Sequence, residues 1–198
     1  TSYGLAVAVT FVFAGLAYKM YAVPMHFWTP DVYQGAPTPI TAWLSVPSKA
    51  AGFALFMRFV FSLAPGTAIA SGTSDLRIDW FWVIAVISAV TMTLGNLAAL
   101  RQESVKRMLG YSSIAQAGYL LMGVAVLAAD GTDSYGGGYR SVLFYLTVYL
   151  FMNLGAFAVL VLVQNLTGSE EVKAFRGLGR NQPVLAVCMT IFLISLIG

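Results

Sequence analysis

Two lysines stand where lysine is costly. Lys19 follows eighteen uncharged residues and lies five before Pro24; Lys49 lies nine residues after Ile40, within another apolar run. On a helix rising about 1.5 Å per residue, both fall well inside a hydrocarbon layer about 30 Å thick. A lysine at the bilayer centre costs about 2.5–3.5 kcal/mol, so it is kept for function or for a buried partner. Lysine also suits proton transfer. Burial disfavours its charged form and a nearby carboxylate favours it, so a change in the carboxylate's influence makes it bind or release a proton. The bland alternative is snorkelling, with Lys19 reaching the inner headgroups past the break that follows it. Arg58, near the outer end of its helix, reads as a snorkelling residue. The chain offers no deeply buried acid, and Asp31 reads as a helix-cap residue, so a partner carboxylate is expected outside it.

Other polar residues are placed to accompany these lysines. Pro47, two residues before Lys49, predicts a freed Trp43 carbonyl and a kink. With Ser45 and Ser48, that carbonyl would hold water beside the lysine; the alternative is an ordinary membrane-helix proline. Ser112, Gln116 and Tyr119 fall on one helical face, and Tyr145, Tyr149 and Asn153 on another. Each stripe reads as the lining of a water wire or as helix–helix glue. Asn96 beside Gly95 is a weaker case of the same kind. His26 reads as a relay or as a satisfied buried imidazole. Lys106 and Arg107 lie at an interface, where they serve as topology signals and lipid contacts.

The elements that must position these groups are membrane helices. Of 198 residues, 59% are hydrophobic and 10% charged, and the mean hydropathy is +0.78. A soluble domain carries about 25% charged residues, so this surface must face lipid. Charge-free runs mark spans at Thr1–Tyr18, Trp80–Leu100, Met108–Ala129, Ser141–Ser169 and Asn181–Gly198; a further span, Ile40–Ala64, is interrupted by Lys49 and Arg58. The runs are too long for strands and show no sustained alternation. The expected fold is an all-α, polytopic transmembrane bundle with a broken helix. Both ends read as truncations, giving a fragment over 1–198 with five nearly complete spans and a sixth cut short.

Loop charge orients the spans. Arg101, Lys106 and Arg107 occupy one loop and Lys173, Arg176 and Arg180 another, whereas the loops near Arg77 and Arg140 hold one basic residue each, together with aspartates. The two basic loops are expected on the inner side, and the turn at Gly136-Gly137-Gly138 on the outer. Between the first two spans, Pro24 breaks the helix. Thr29-Pro30-Asp31 then reads as a helix start with Thr29 as N-cap, Gly35 as its stop, and Thr38-Pro39 as a second start by the same chemistry. Broken helices at membrane depth line cavities or are buried in protein, and they mark transport sites.

Several function classes find no support. There is no Gly-rich dinucleotide motif, no Walker A sequence, no paired histidines, and a single cysteine, Cys188. No cofactor-binding or metal-binding residue is expected in this chain. The net charge of +3, without a Lys/Arg run, gives no nucleic-acid surface. The expected partners are the lipid bilayer, protons and other membrane subunits. The expected location is the bacterial inner membrane, with an organelle inner or thylakoid membrane as the alternative.

The segment from Ala22 to Pro39, AVPMHFWTPDVYQGAPTP, resembles the signature of the N-type subunits of NADH:quinone oxidoreductase (complex I), an antiporter-like membrane family. Gly95-Asn96, the run from Lys106 to Tyr119, and Met152–Phe157 resemble further stretches of the same subunits. The W-x-P-D…A-P-T core is shared with multisubunit cation/proton antiporters, and Val32-Tyr33-Gln34-Gly35 favours the N type. The resemblance implies about fourteen helices in two inverted repeats, with this chain running from the seventh helix into the twelfth. It implies proton relay by Lys19 and Lys49, driven by quinone reduction elsewhere, and a glutamate partner for Lys19 upstream. Lys106 matches a further family lysine. Gln116 stands where some members have histidine, which counts against a titrating relay there. NADH, FMN, iron–sulfur clusters and quinone are expected in other subunits. The rival reading is a membrane subunit of a cation/proton antiporter or a related hydrogenase complex.

Overall fold

A computed structural model of the chain describes residues 2–62, 80–130 and 137–196. It is built of helices: α1 (Ser2–Met20), α2 (Thr29–Gly35), α3 (Thr38–Trp43), α4 (Lys49–Ser62), α5 (Trp80–Ala99), α6 (Val105–Asp130), α7 (Gly137–Thr167), α8 (Leu178–Asn181) and α9 (Pro183–Ser195). No strand occurs among the described residues; one isolated bridge joins Ser104 to Glu171. Four helical stretches are long and apolar enough to cross a membrane: Thr38–Ser62, Trp80–Ala99, Val105–Leu127 and Gly138–Thr167. Two shorter apolar helices, Gly4–Met20 and Pro183–Ser195, accompany them. The outward faces carry Phe11, Trp43, Phe144 and Val184, all largely exposed. Such a surface is stable against lipid or further protein and not against water. The chain is an integral, multi-pass membrane protein.

The break after Lys19 is present. α1 ends at Met20 and α2 begins at Thr29. Ala22 N–H bonds the carbonyl of Ala17 (3.0 Å), Tyr21 N–H that of Tyr18 (3.4 Å), and Trp28 Nε1 also reaches Tyr18 (3.3 Å). Carbonyls orphaned by the helix end are thereby satisfied inside the protein, as membrane depth requires. A Cβ added at Gly52, on α4, would lie 3.1 Å from Met20 Cγ and 3.2 Å from Lys19 Cγ. The end of α1 therefore sits at the level of the Lys49 turn, near the middle of the Thr38–Ser62 span.

Three local expectations are corrected. Thr29 and Thr38 do not cap their helices. Each is the first helical residue, with no side-chain cap at the residue before it. Thr38 Oγ1 donates instead to Gln164 Oε1 on α7 (2.7 Å), and Thr29 Oγ1 is buried without a partner. Tertiary contact outcompeted the local bond at Thr38. Pro47 produces not a simple kink but a widened turn over Leu44–Ser48, joining α3 to α4 in one span. One extra residue per turn absorbs the missing N–H. Ser45 Oγ donates to the carbonyl of Ala42 (2.6 Å), the carbonyl five residues before the proline. Finally, Gly137 and Gly138 open α7 and do not form a loop; Gly136 and Arg77 lie outside the described residues. A Cβ at Gly138 would fall 2.8 Å from Gly123 O, so glycine there lets α6 and α7 touch.

The two basic loops share one end of the bundle, as their charge implies. Val105 N–H bonds Glu170 O and Val172 N–H bonds Glu103 O, each at 2.9 Å. Asp130 and Arg140 stand at the other ends of α6 and α7. α5 and α6 meet at backbone distance. A Cβ at Gly95 would come within 2.6 Å of Ala115 N, and one at Gly118 within 2.7 Å of Met92 N. Without a hydrophobic drive between membrane helices, such small-residue contact is the main source of attraction. Two apolar clusters result. One gathers Met20, Phe53, Phe56, Ile84, Leu120 and Val124; the other gathers Tyr33, Leu109, Tyr149, Phe157 and Met189. Lys49 lies on the seam, because its own helix feeds the first cluster and its partner Tyr149 belongs to the second.

Candidate functional site

Lys49 is completely buried at the end of the widened turn. Its Nζ donates to the Ser113 carbonyl (2.6 Å), to Ser113 Oγ (2.7 Å) and to Tyr149 Oη (3.2 Å). Those contacts use all three N–H bonds of an ammonium. Two rings add to them, with centroids 4.6 Å (Tyr149) and 5.1 Å (Tyr21) from Nζ. Among the described residues no carboxylate touches it. Each hydrogen bond is comparable in size to the cost of burial, and the set outweighs it. Placing the cation at membrane depth costs about 2.5–3.5 kcal/mol on insertion scales. Hydrogen bonds to a charged group return about 1.5–3 kcal/mol each, and a ring face about 0.5–2.

The acceptors are linked to one another. Ser113 Oγ lies 3.0 Å from Tyr149 Oη and 3.1 Å from Tyr33 Oη. Hydroxyls rotate and serve as donor or acceptor. An ammonium here gives three hydrogen bonds; a neutral amine gives two and takes one from a hydroxyl that has turned round. Both protonation states can therefore be satisfied by the same heavy atoms.

The α7 stripe of Tyr145, Tyr149 and Asn153 runs past this centre. Tyr145 Oη donates to Gln116 Oε1, Tyr149 meets Lys49, and Asn153 Nδ2 donates to Ser45 Oγ (2.5 Å). Gln116 Nε2 in turn donates to Leu196 O (2.5 Å). On α6 the three stripe residues part company: Gln116 joins this network, whereas Ser112 and Tyr119 do not contact Lys49. Ser112 is half-buried and makes none of these bonds, whereas Ser113 makes four. Tyr119 turns toward Asn96 Nδ2 (3.3 Å), away from Lys49. Sequence reading also missed Tyr21 and Tyr33. The available signals were the buried period Ser113, Ala117, Leu120, Val124 and the position of Tyr21 two residues beyond Lys19.

The other candidates lie apart. Lys19 is exposed on this chain, its stem over Gly52, with no hydrogen bond or ion pair to it among the described residues. His26 is half-buried in the break, and its Nδ1 has no partner. Lys106 is buried at the basic end, where Nζ donates to Glu170 Oε1 (3.0 Å) and to Ala36 O (2.8 Å). Gln164 Nε2 bonds the same carboxylate oxygen (2.8 Å), and Thr38 bonds Gln164. Arg107 reaches Gln34 (3.1 Å) and the exposed Asp31 (3.4 Å). No group of three potential metal ligands occurs among the described residues.

Comparison with known proteins agrees with this architecture. The profile of the NADH:quinone oxidoreductase/Mrp antiporter transmembrane family matches residues 1–198. The chain is 51% identical over 197 residues to NADH-quinone oxidoreductase subunit N of Chlorobium chlorochromatii, covering 100% of this chain and 37% of that protein. Respiratory complex I from Thermus thermophilus with bound aureothin contains a similar chain, with TM-score 0.72 and 34% identity, covering 96% of this chain and 38% of that one. The Mrp complex from Dietzia sp. DQ12-45-1b contains another, with TM-score 0.78 and 25% identity, covering 98% and 33%. The chain thus spans about a third of the length of these relatives, 33% to 38%.

Proposed function

The chain belongs to the NADH:quinone oxidoreductase/Mrp antiporter transmembrane family, and from that premise we propose that it is part of a proton-translocating membrane subunit of an NADH:quinone oxidoreductase. Lys49 is its central proton carrier, Lys19 precedes it on the path, and the redox centres sit in other subunits. The observation that carries this reading is the Lys49 site itself: a fully buried lysine whose oxygen partners satisfy both the ammonium and the amine. A lysine kept only for packing has no use for that reversibility. Energy from quinone reduction elsewhere would move a charge near this path and shift the proton. The half-identical N-type relative and the Val32–Gly35 segment favour this reading over a cation antiporter.

Lys49→Met in the complete complex tests it. Methionine keeps much of the length and removes the titrating group, while Ser113 and Tyr149 still bond each other (3.0 Å). Assembly is expected to survive, because exchanging a buried charge for an apolar group is often neutral or stabilising. Proton uptake in closed membrane vesicles is expected to fall about a hundredfold or more, the range for loss of a positioned proton-transfer group. Quinone reduction falls with it where the two are tightly coupled. Uptake at the wild-type rate would remove Lys49 from the path.

A further inference from the structure

We propose that Tyr21 is a positioning residue for Lys49, a tyrosine held in a left-handed backbone so that one side chain ties the break in α1 to the widened turn before α4. This rests on Lys49 being the proton carrier.

The backbone comes first. Tyr21 has φ 68° and is the non-glycine residue in the left-handed region among those described. It occupies the position just past the end of α1, with the paired bonds Ala22 N–H to Ala17 O and Tyr21 N–H to Tyr18 O. Helices that end this way place glycine there, because a Cβ is strained at positive φ. Glycine would form the turn with less strain. What it would lose is the side chain, and that side chain is fully buried.

Each part of the side chain meets a different part of the site. The hydroxyl donates to the carbonyl of Leu44 (2.9 Å), the first residue of the widened turn that ends in Lys49. Within a turn disturbed by Pro47, that bond fixes one of the carbonyls and with it the path of the chain into Lys49. The ring centroid lies 5.1 Å from Lys49 Nζ, beside the contacts made by Ser113 and Tyr149. Trp28 and Tyr33 stand edge-on to the ring at 5.1 and 6.2 Å. These neighbours leave the tyrosine one place to be. Strain that the surroundings over-determine in this way clusters at functional sites. The titratable groups facing this ring are Lys49 from α4, Tyr33 from α2 and Tyr149 from α7. Lys19 and His26 lie in the flanking segments, and α6 brings Ser113.

The test compares Tyr21→Phe, Tyr21→Leu and Lys49→Met in the complete complex. Assembly is matched on native gels, and proton uptake into closed vesicles is followed across pH. Phenylalanine keeps the ring and loses the clamp on Leu44, so uptake is expected to fall about fivefold, the scale of one hydrogen bond. Leucine loses both, so uptake should fall further and its pH profile should be displaced from that of the wild type, because the ammonium has lost a ring face. An assembled Tyr21→Leu complex with a wild-type pH profile, whatever its rate, overturns the positioning role. Where the leucine variant does not assemble, Tyr21→Phe decides. Reduced uptake at wild-type assembly supports the role, and unchanged uptake overturns it. Wild-type uptake by Lys49→Met would instead defeat the carrier reading, whereas a dead Lys49→Met beside an unaffected Tyr21→Leu defeats this proposal alone.

Discussion

Lys49 and Lys106 are both buried, and they are held in opposite ways. Lys49 is surrounded by a carbonyl, two hydroxyl groups and two rings, with no acid in reach among the described residues. Lys106 is fastened to the Glu170 carboxylate at 3.0 Å and to a backbone carbonyl, at the end of the bundle where the basic loops meet. The ion pair makes Lys106 a structural fastening between α6, the chain after α7 and the residue after α2. The hydroxyls around Lys49 serve as donor or acceptor and form no such fixed pair. Burial is common to the two lysines; the chemistry of their partners separates them, and on the proposed reading it is that chemistry which suits Lys49 to carry a proton.

Substitution by arginine should break the two sites apart most sharply. Arginine keeps the positive charge but does not deprotonate at physiological pH. Lys49→Arg is expected to reduce proton uptake as far as Lys49→Met or further, about a hundredfold or more. Lys106→Arg, which preserves the pair with Glu170, is expected to keep most of the uptake. Vesicle assays on both variants check this, and equal losses at the two positions would erase the distinction.

Lys106→Met should have the next largest effect, and on stability first. It leaves Glu170 with Gln164 but no cation. Breaking a buried pair from one side costs about 3–5 kcal/mol. The Glu170 side chain is 25% exposed, so water recovers part of that and about 1–3 kcal/mol is expected. Thermal inactivation of the assembled complex measures it, with protons moved per quinone reduced staying near wild type in the surviving enzyme.

The smallest effect is expected from Tyr149→Phe. The ring stays over Lys49, and Ser113 still supplies two acceptors. One hydrogen bond near 3.2 Å is lost, about 0.5–1.5 kcal/mol, or up to roughly tenfold in uptake at unchanged assembly. A loss as large as that of Lys49→Met would mean that the proton passes through the tyrosine hydroxyl itself.

Much of the molecule is legible in its amino-acid order because it depends on local chemistry. Apolar runs give spans, since lipid leaves few alternatives to helix. Pro24 followed by Thr29-Pro30 gives a break and a restart, and both occur where expected. Lys49 in an apolar run marks a buried lysine, and it is buried; Pro47 two residues before it marks a local irregularity, which takes the form of a widened turn and not the expected kink. The loop charges place two loops together that the fold joins by backbone bonds. The AVPMHFWTPDVYQGAPTP segment carries the family.

Only the tertiary structure decided which side chains meet. A step of one residue turns a helix by about 100°, so Ser112 and Ser113 are alike in sequence but face different neighbours, and rotation against α4 selects Ser113. Thr38 and Thr29 obey no local capping rule here, because Gln164 lies 126 residues from Thr38 and local propensity contains no term for it. Glu170 finds Lys106 across 64 residues, and Tyr21 finds Leu44 across 23 through a backbone conformation that its residue type disfavours. Composition and spacing determine which groups must leave water. The relative rotation and depth of packed helices determine which partners they find, because those contacts exist only once the helices are assembled.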